Sequence, residues 1–215
     1  MMNRINILCE GPTEEEFINK VLYPHFLAKN IVVTPRRLDG NCNYDRIEHE
    51  CRQWLNAEPK AVVTTMIDYY GRKGVYPGEN ADHTNPLERV KNIETAMYNQ
   101  IVNSPKVHNK RLVPYLQLHE LEALLFADPD TMTEWLSLDH AIPENAFHQI
   151  VEQFPNPEHI NDHPNTAPSK RIIQYVPAYK KVVDGPMILS DIGLAKIRAA
   201  CPHFDEWIAN LETIF

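Results

Sequence analysis

Short apolar segments that alternate with helical patterns restrict the fold of this chain more than any other feature. Residues 5–9, 31–33, 60–68 and 112–118 are rich in strand-forming residues, and the stretches between them have the apolar spacing of amphipathic helices. This alternation predicts an α/β fold with a mostly parallel sheet flanked by helices.

The first helices are predicted from their start signals and their spacing. Thr13 and Glu16 have the spacing of a capping box ahead of the first helix. A second helix passes through Trp54, and a third covers about residues 86–101. Residues 69–82 hold three glycines and a proline, a composition that predicts a loop.

Strand signals fade after about residue 123. We therefore expect an α/β core of residues 1–126, with a mainly helical extension of residues 127–215 packed on it. Helices separated by proline-containing loops are predicted at residues 123–126, 131–136, 146–154, 169–180 and 194–211.

Composition excludes several classes of protein. Hydrophobic residues make up 43% of the 215 residues, enough for a sizeable core. The net charge of −8 argues against a protein that coats nucleic acid. It argues less against a metal-dependent nuclease, whose acidic site is neutralised by cations. The four cysteines form no CxxC pair, so we expect ordinary thiols without zinc or redox chemistry.

The sequence contains no apolar stretch of the roughly 18 to 20 residues that a membrane-spanning helix needs. Its first residues also lack the basic and then apolar pattern of a secretory signal. We therefore expect a cytoplasmic location without membrane contact.

Acidic residues follow three of the predicted strands. Glu10 comes directly after the first strand, Asp68 ends the third, and His119 and Glu120 follow the last. In open α/β sheets the carboxyl ends of the strands form the ligand-binding edge, so these side chains meet there if the strands are adjacent. Carboxylate oxygens suit Mg²⁺ or Mn²⁺. The candidate metal ligands are Glu10, Glu14, Asp68, Glu120 and Glu122.

This pattern indicates metal-assisted phosphodiester hydrolysis, although structural explanations also exist. Glu14 and its acidic neighbours occupy the first helical turn, where carboxylates interact favourably with the helix dipole. Asp68 can be a turn residue at the end of a strand, and His119 can be a hydrogen-bonded structural group. Glu10 is harder to explain structurally, because it follows a strand, precedes a glycine and has no helical role.

A second cluster lies at residues 165–171. Thr166 or its neighbour can cap a helix there, which places Ser169, Lys170 and Arg171 near its N-terminus. Basic residues normally favour the other end of a helix, so a bound phosphate would explain their position. The alternative is a plain N-cap with solvated basic residues.

Four segments together resemble a bacterial family of Toprim-like proteins, and the chain is similar to the Toprim half of the overcoming-lysogenization-defect (OLD) nucleases. The segments are residues 9–14, CEGPTE, residues 67–71, IDYYG, residues 118–126, LHELEALLF, and residues 167–172, APSKRI.

The resemblance implies a single Toprim-like domain over residues 1–215 and a nuclease that depends on Mg²⁺ or Mn²⁺. It gives Glu10 the role of metal ligand or general acid/base and makes Asp68 the main ligand, while Lys170 faces the phosphate. Ser169, Arg171 and His119 would then bind substrate. Implied partners are a nucleic acid, DNA or RNA, and an ABC-type ATPase that acts with this chain in phage defence; a homo-oligomer is a further option.

One residue departs from the Toprim pattern. Toprim proteins carry Asp-x-Asp, whereas Tyr70 stands at the second acidic position here. Either Glu120 or Glu122 replaces the missing carboxylate, or one metal binds weakly, or catalysis has been lost. Two other functions therefore stay open: a non-catalytic regulatory subunit of an ATPase, and a phosphohydrolase or phosphotransferase acting on a small nucleotide.

Overall fold

The computed structural model describes residues 2–79, 85–138, 140–161 and 164–215. A parallel sheet lies at its centre, in which β2 pairs β1, β1 pairs β3, and β3 pairs both β4 and β5. The strands are β1 (Asn3–Cys9), β2 (Ile31–Arg37), β3 (Val62–Asp68), β4 (Leu112–Val113) and β5 (Leu116–Gln117). The predicted α/β class with a mostly parallel sheet, flanking helices and a helical C-terminal part is confirmed.

The predicted last strand is divided in two. Leu112 pairs Val63 and Leu116 pairs Ile67, but Pro114 interrupts the ladder between them because it has no backbone N–H. The hydroxyl of Thr65 bridges the gap: it donates to the Tyr115 carbonyl at 2.8 Å and accepts from the Tyr115 N–H at 2.9 Å.

Helices connect the strands and form most of the C-terminal part. The α-helices are α1 (Pro12–Phe17), α2 (Tyr23–Leu27), α3 (Tyr44–Ala57), α4 (Pro86–Val102), α5 (Pro129–Leu136), α6 (Ala146–Val151), α7 (Pro168–Tyr175), α8 (Asp184–Ile192), α9 (Leu194–Ala200) and α10 (Pro202–Thr213). A π-helical turn (Ile18–Leu22) joins α1 to α2. Short 3₁₀ segments lie at Leu121–Ala127, Pro157–His159 and Pro164–Thr166.

The predicted capping box at the start of α1 is wrong. The helix begins one residue before Thr13, at Pro12, because proline suits the first helical position. Glu14 is consequently the third helical residue, and its Oε2 accepts the N–H of Gly11 at 2.9 Å. Of the predicted loop at residues 69–82, residues 80–82 lie outside the described ranges.

The C-terminal helices also differ from the prediction. The single helix expected at residues 194–211 is broken into α9 and α10, because Pro202 cannot continue a helix from the preceding turn. Helix α8 was not predicted. Gly185 and Pro186 disfavour a helix interior, but both lie in the first turn of α8, where they are tolerated.

A hydrophobic core covers each face of the sheet. Leu8 and Ile67 pack with α3 and α4 on one face, whereas Ile5 and Ile7 on the other face share a core with α1 and the C-terminal helices. Trp207 of α10 ties this second layer to the sheet directly, because its indole N–H donates to the Thr64 hydroxyl at 2.8 Å. The four cysteines are buried, free thiols. In the described ranges no helix is long and apolar enough to span a bilayer.

Candidate metal site at the carboxyl edge of the sheet

Five carboxylates from three strand ends influence one another at the carboxyl edge of the sheet. Burial raises the pKa of Asp68 well above its usual range, and the charges of Glu14, Glu10, Glu122 and Glu120 raise it further. The other four acids therefore lie within electrostatic range of Asp68, and we call these five residues the acidic site. An aspartate surrounded by four acidic neighbours is unfavourable unless a cation or protons compensate the charge.

Glu10 faces the loop that follows β3. A Cβ atom at Gly71 would lie 2.9 Å from the Glu10 Oε2 atom and 3.2 Å from the Asp68 Cβ atom, so glycine permits this close approach. Burial and the charge of Glu14 raise the pKa of Glu10. Its Oε2 is buried and has no hydrogen-bond donor among the described residues.

Glu14 is held by the start of its own helix. Its Oε2 accepts the Gly11 N–H, and burial raises its pKa in spite of that bond. The carboxylate thus has a structural role at the helix terminus and also lies in the acidic site, while its role as a metal ligand stays a prediction.

Lys181, between α7 and α8, supplies a cation to the acidic site that the sequence analysis missed. Its Nζ lies 2.8 Å from the Glu120 Oε1 atom and 3.4 Å from the Glu122 Oε2 atom. Although burial opposes the charge, Glu122 and Glu120 raise the pKa of this ammonium. In the sequence Lys181 is only half of a basic pair, 61 positions from Glu120, so no local pattern connects it to the strand ends.

Glu120 is the best-compensated carboxylate of the site. Its second oxygen, Oε2, accepts the backbone N–H of Ser169 at 2.9 Å, at the start of α7. Burial alone would raise the pKa of Glu120, but the hydrogen bonds from Lys181 and Ser169 outweigh it and lower the pKa. The negative charge at the N-terminus of α7 is therefore the carboxylate of Glu120.

Glu122 is the most deeply buried of these acids, with 3% of its surface exposed. Burial raises its pKa to about 7, and the nearby charge of Glu120 adds to the effect while Lys181 opposes it. Its Oε1 has no hydrogen-bond partner in the described part of the chain. Glu122 is thus a carboxyl group that can change protonation state near neutral pH.

A pH dependence of stability follows from Glu122. Its folded-state pKa lies above its unfolded value, so its contribution is complete below about pH 4.5 and is lost as pH rises through about 7. The difference corresponds to about 3 kcal/mol at most. In EDTA, Glu122→Gln should gain stability relative to wild type between pH 5 and pH 8, measured by urea unfolding. A constant difference across this range would contradict the assignment.

The other predicted residues lie at different distances from the acidic site. Ser169 reaches it through its backbone, whereas Lys170 is exposed on the first turn of α7. Arg171 turns to the Thr166 carbonyl, to which its Nε donates at 2.8 Å, and its guanidinium lies 5.2 Å from the ring of Phe154.

His119 is buried beside the acidic site. Its ring stacks on the ring of Tyr70, with centroids 5.2 Å apart. The substrate-binding role of His119, like those of Ser169 and Arg171, stays a prediction.

The acidic site fits a hard divalent cation by its chemistry but needs a rearrangement. Among the residues described, no three His, Cys, Asp or Glu side chains are already grouped to hold one ion. The oxygen donors suit Mg²⁺ or Mn²⁺, and the excess negative charge and the unpaired oxygens of Glu10 and Glu122 favour a cation. Metal binding would require the Lys181 ammonium to withdraw from Glu120 and Glu122.

Comparison with known proteins gives a family and two similar structures. Residues 9–212 match the family described as a domain of unknown function, DUF4276. The fold is similar to the C-terminal region of the Burkholderia pseudomallei OLD protein, with 13% identity, a TM-score of 0.46, and coverage of 97% of this chain and 98% of that chain.

The corresponding region of the Xanthomonas campestris pv. campestris OLD protein has 16% identity, a TM-score of 0.40, and coverage of 95% and 96%. Both structures come from OLD proteins. No curated protein matches this chain.

Proposed function

The chain belongs to the DUF4276 family. We propose that it is a divalent-metal-dependent nuclease that hydrolyses phosphodiester bonds. The observation that carries this proposal is the acidic site. Five carboxylates converge at the ligand-binding edge of a parallel sheet, and one lysine is their counter-charge at close range. Carboxylates crowded at this density suit a cation-dependent reaction better than a passive binding surface.

Glu10 and Asp68 would hold the cation, with Glu14, Glu120 and Glu122 as further ligands. The bound cation would supply Lewis acidity and lower the pKa of a water molecule, which are the requirements for attack on a phosphodiester. Mg²⁺ and Mn²⁺ are the proposed cofactors, because both prefer oxygen ligands and leave positions open for phosphate and water.

The side chains of the chain itself orient the substrate and move protons. Before a cation binds, Glu122 can accept or release a proton near neutral pH, since its pKa is about 7, and coordination of the cation would release that proton. Lys181 can stabilise phosphate charge once it leaves the carboxylates, and Lys170 at the exposed start of α7 is proposed to contact the phosphate from outside.

Glu10→Gln is expected to abolish metal-dependent cleavage, because an amide binds a hard cation poorly. Cleavage of single- and double-stranded DNA and RNA should be measured in Mn²⁺, Mg²⁺ and EDTA. We expect a loss of roughly a hundredfold or more relative to wild type. Glu16→Gln is the matched control: Glu16 lies on α1, the helix that follows Glu10, and pairs with Lys20 at 3.4 Å, so its change should leave cleavage intact.

An ATPase partner belongs to the same proposal and is supported by the family resemblance. The cleavage assay should therefore be repeated with candidate ATPases encoded beside the gene. If no combination cleaves nucleic acid, and Glu10→Gln binds the ATPase as well as wild type does, a non-catalytic regulatory subunit would replace the nuclease. Hydrolysis of free nucleotides in place of polynucleotides would indicate a phosphohydrolase.

A further inference from the structure

A half-exposed aromatic ring beside the acidic site has no role in the proposed hydrolysis. Tyr70 is 52% exposed, although one ring face stacks on buried His119 with the ring planes inclined by only 9°. A flat ring that is supported from below by a second ring is a surface on which a further planar group can stack.

The loop that carries Tyr70 is fixed by several contacts. The Gly71 N–H donates to the Asp68 carbonyl at 3.1 Å, and the Lys73 N–H donates to the Cys42 carbonyl at 3.1 Å. The guanidinium of Arg72 lies 4.0 Å from the centre of the Tyr69 ring. Tyr70 is therefore held in a defined position, so that little conformational entropy is lost when a ligand stacks on it.

The ring and a nearby cation lie beside residues of the acidic site. Tyr70 follows Asp68 by two residues, and its stacking partner His119 directly precedes Glu120. Lys73 is exposed in the same loop, and its positive charge acts on Glu10. A planar group stacked on Tyr70 would thus lie next to the acidic site.

We propose that Tyr70 and Lys73 form a binding subsite for single-stranded nucleic acid, in which one base stacks on Tyr70 and Lys73 contacts a neighbouring phosphate. The subsite rests on the proposed function, since it would place a phosphodiester bond beside the carboxylates. A base within a duplex is already stacked on its neighbours, so the subsite selects single strands or unpaired ends.

The test is fluorescence anisotropy with a labelled DNA single strand, an RNA of the same sequence and the DNA duplex, all in EDTA. Wild type should bind single strands more tightly than the duplex. Tyr70→Ala should weaken single-strand binding by about tenfold or more, whereas Tyr70→Phe retains it. Lys73→Met should weaken binding and reduce its salt dependence. Val75→Ala, an exposed apolar change in the same loop, is the control and should have no effect.

Equal affinities of wild type and Tyr70→Ala, or a wild type that binds duplex as well as single strands, would overturn the subsite. Because the assay contains no metal, its result is separate from that of the cleavage assay. Metal-dependent cleavage that Tyr70→Ala leaves unchanged would remove the subsite and keep the nuclease. Single-strand binding through Tyr70 without any cleavage would keep the subsite and remove the nuclease.

Discussion

Asp68→Asn is expected to stabilise the metal-free protein and to remove its response to Mn²⁺. Asp68 lies among four other acids, and burial together with their charges raises its pKa well above the usual range. A neutral amide removes this repulsion, so the melting temperature in EDTA at pH 8 should rise by a few degrees. A change of about 1 kcal/mol corresponds to roughly 2–4 °C in a chain of this size.

The same substitution should abolish stabilisation by metal, because asparagine is a weak ligand for hard cations. In wild type, Mn²⁺ at a hundred times its dissociation constant should add about 2.7 kcal/mol. Thermal unfolding in EDTA and in a Mn²⁺ series measures both effects. Asp45→Asn, an exposed change in the first turn of α3, is the control. A variant less stable than wild type in EDTA, yet equally stabilised by Mn²⁺, would contradict the role given to Asp68.

Lys181→Met should have the opposite pair of effects. Its ammonium compensates Glu120 and Glu122, so its loss leaves two carboxylates without that charge. We expect the metal-free protein to lose about 1–2 kcal/mol, a modest value because 40% of the lysine side chain is exposed. Mn²⁺ would no longer compete with the ammonium, so its apparent affinity should rise by about tenfold, equivalent to about 1.4 kcal/mol.

Thermal unfolding across a Mn²⁺ series also separates these effects, with Lys180→Met as the matched control. Lys180 is the exposed neighbour, and its change should affect neither stability nor metal binding. If Lys181→Met bound Mn²⁺ more weakly than wild type, the ammonium would be supporting the metal and could not be its competitor.

The fold was predictable wherever local sequence and tertiary structure agree. The strand at Val62–Asp68 carries both an apolar run and a terminal acid, and it forms as expected. The errors in the predicted elements have local causes. Pro114 divides the last predicted strand, and Pro202 divides the last predicted helix. Helix α8 was not predicted, and it begins with Gly185 and Pro186 in its first turn. Proline and glycine are tolerated at the start of a helix but disrupt the interior of a helix or strand. Their effect therefore depends on where the element begins, which the sequence does not define.

The acidic half of the site was predictable because a general rule brings it together. Parallel strands end at the same edge, so Glu10, Asp68 and Glu120 come together because β1, β3 and β5 are adjacent. The basic half follows no such rule. Lys181 reaches the site from a loop whose position depends on how the C-terminal helices pack. At the start of α7 the Ser169 N–H binds the carboxylate of Glu120, whereas the sequence suggested a bound phosphate there.

Direct Mn²⁺ binding is the measurement that tests the central claim most closely. The electron paramagnetic resonance signal of free Mn²⁺ decreases as the ion binds, which gives affinity and stoichiometry without substrate or partner. Wild type and Glu16→Gln are predicted to bind Mn²⁺ equally, and Glu10→Gln and Asp68→Asn are predicted to lose that binding. Wild-type protein that leaves millimolar Mn²⁺ free, or binding that survives both substitutions, would contradict a metal site at this edge of the sheet.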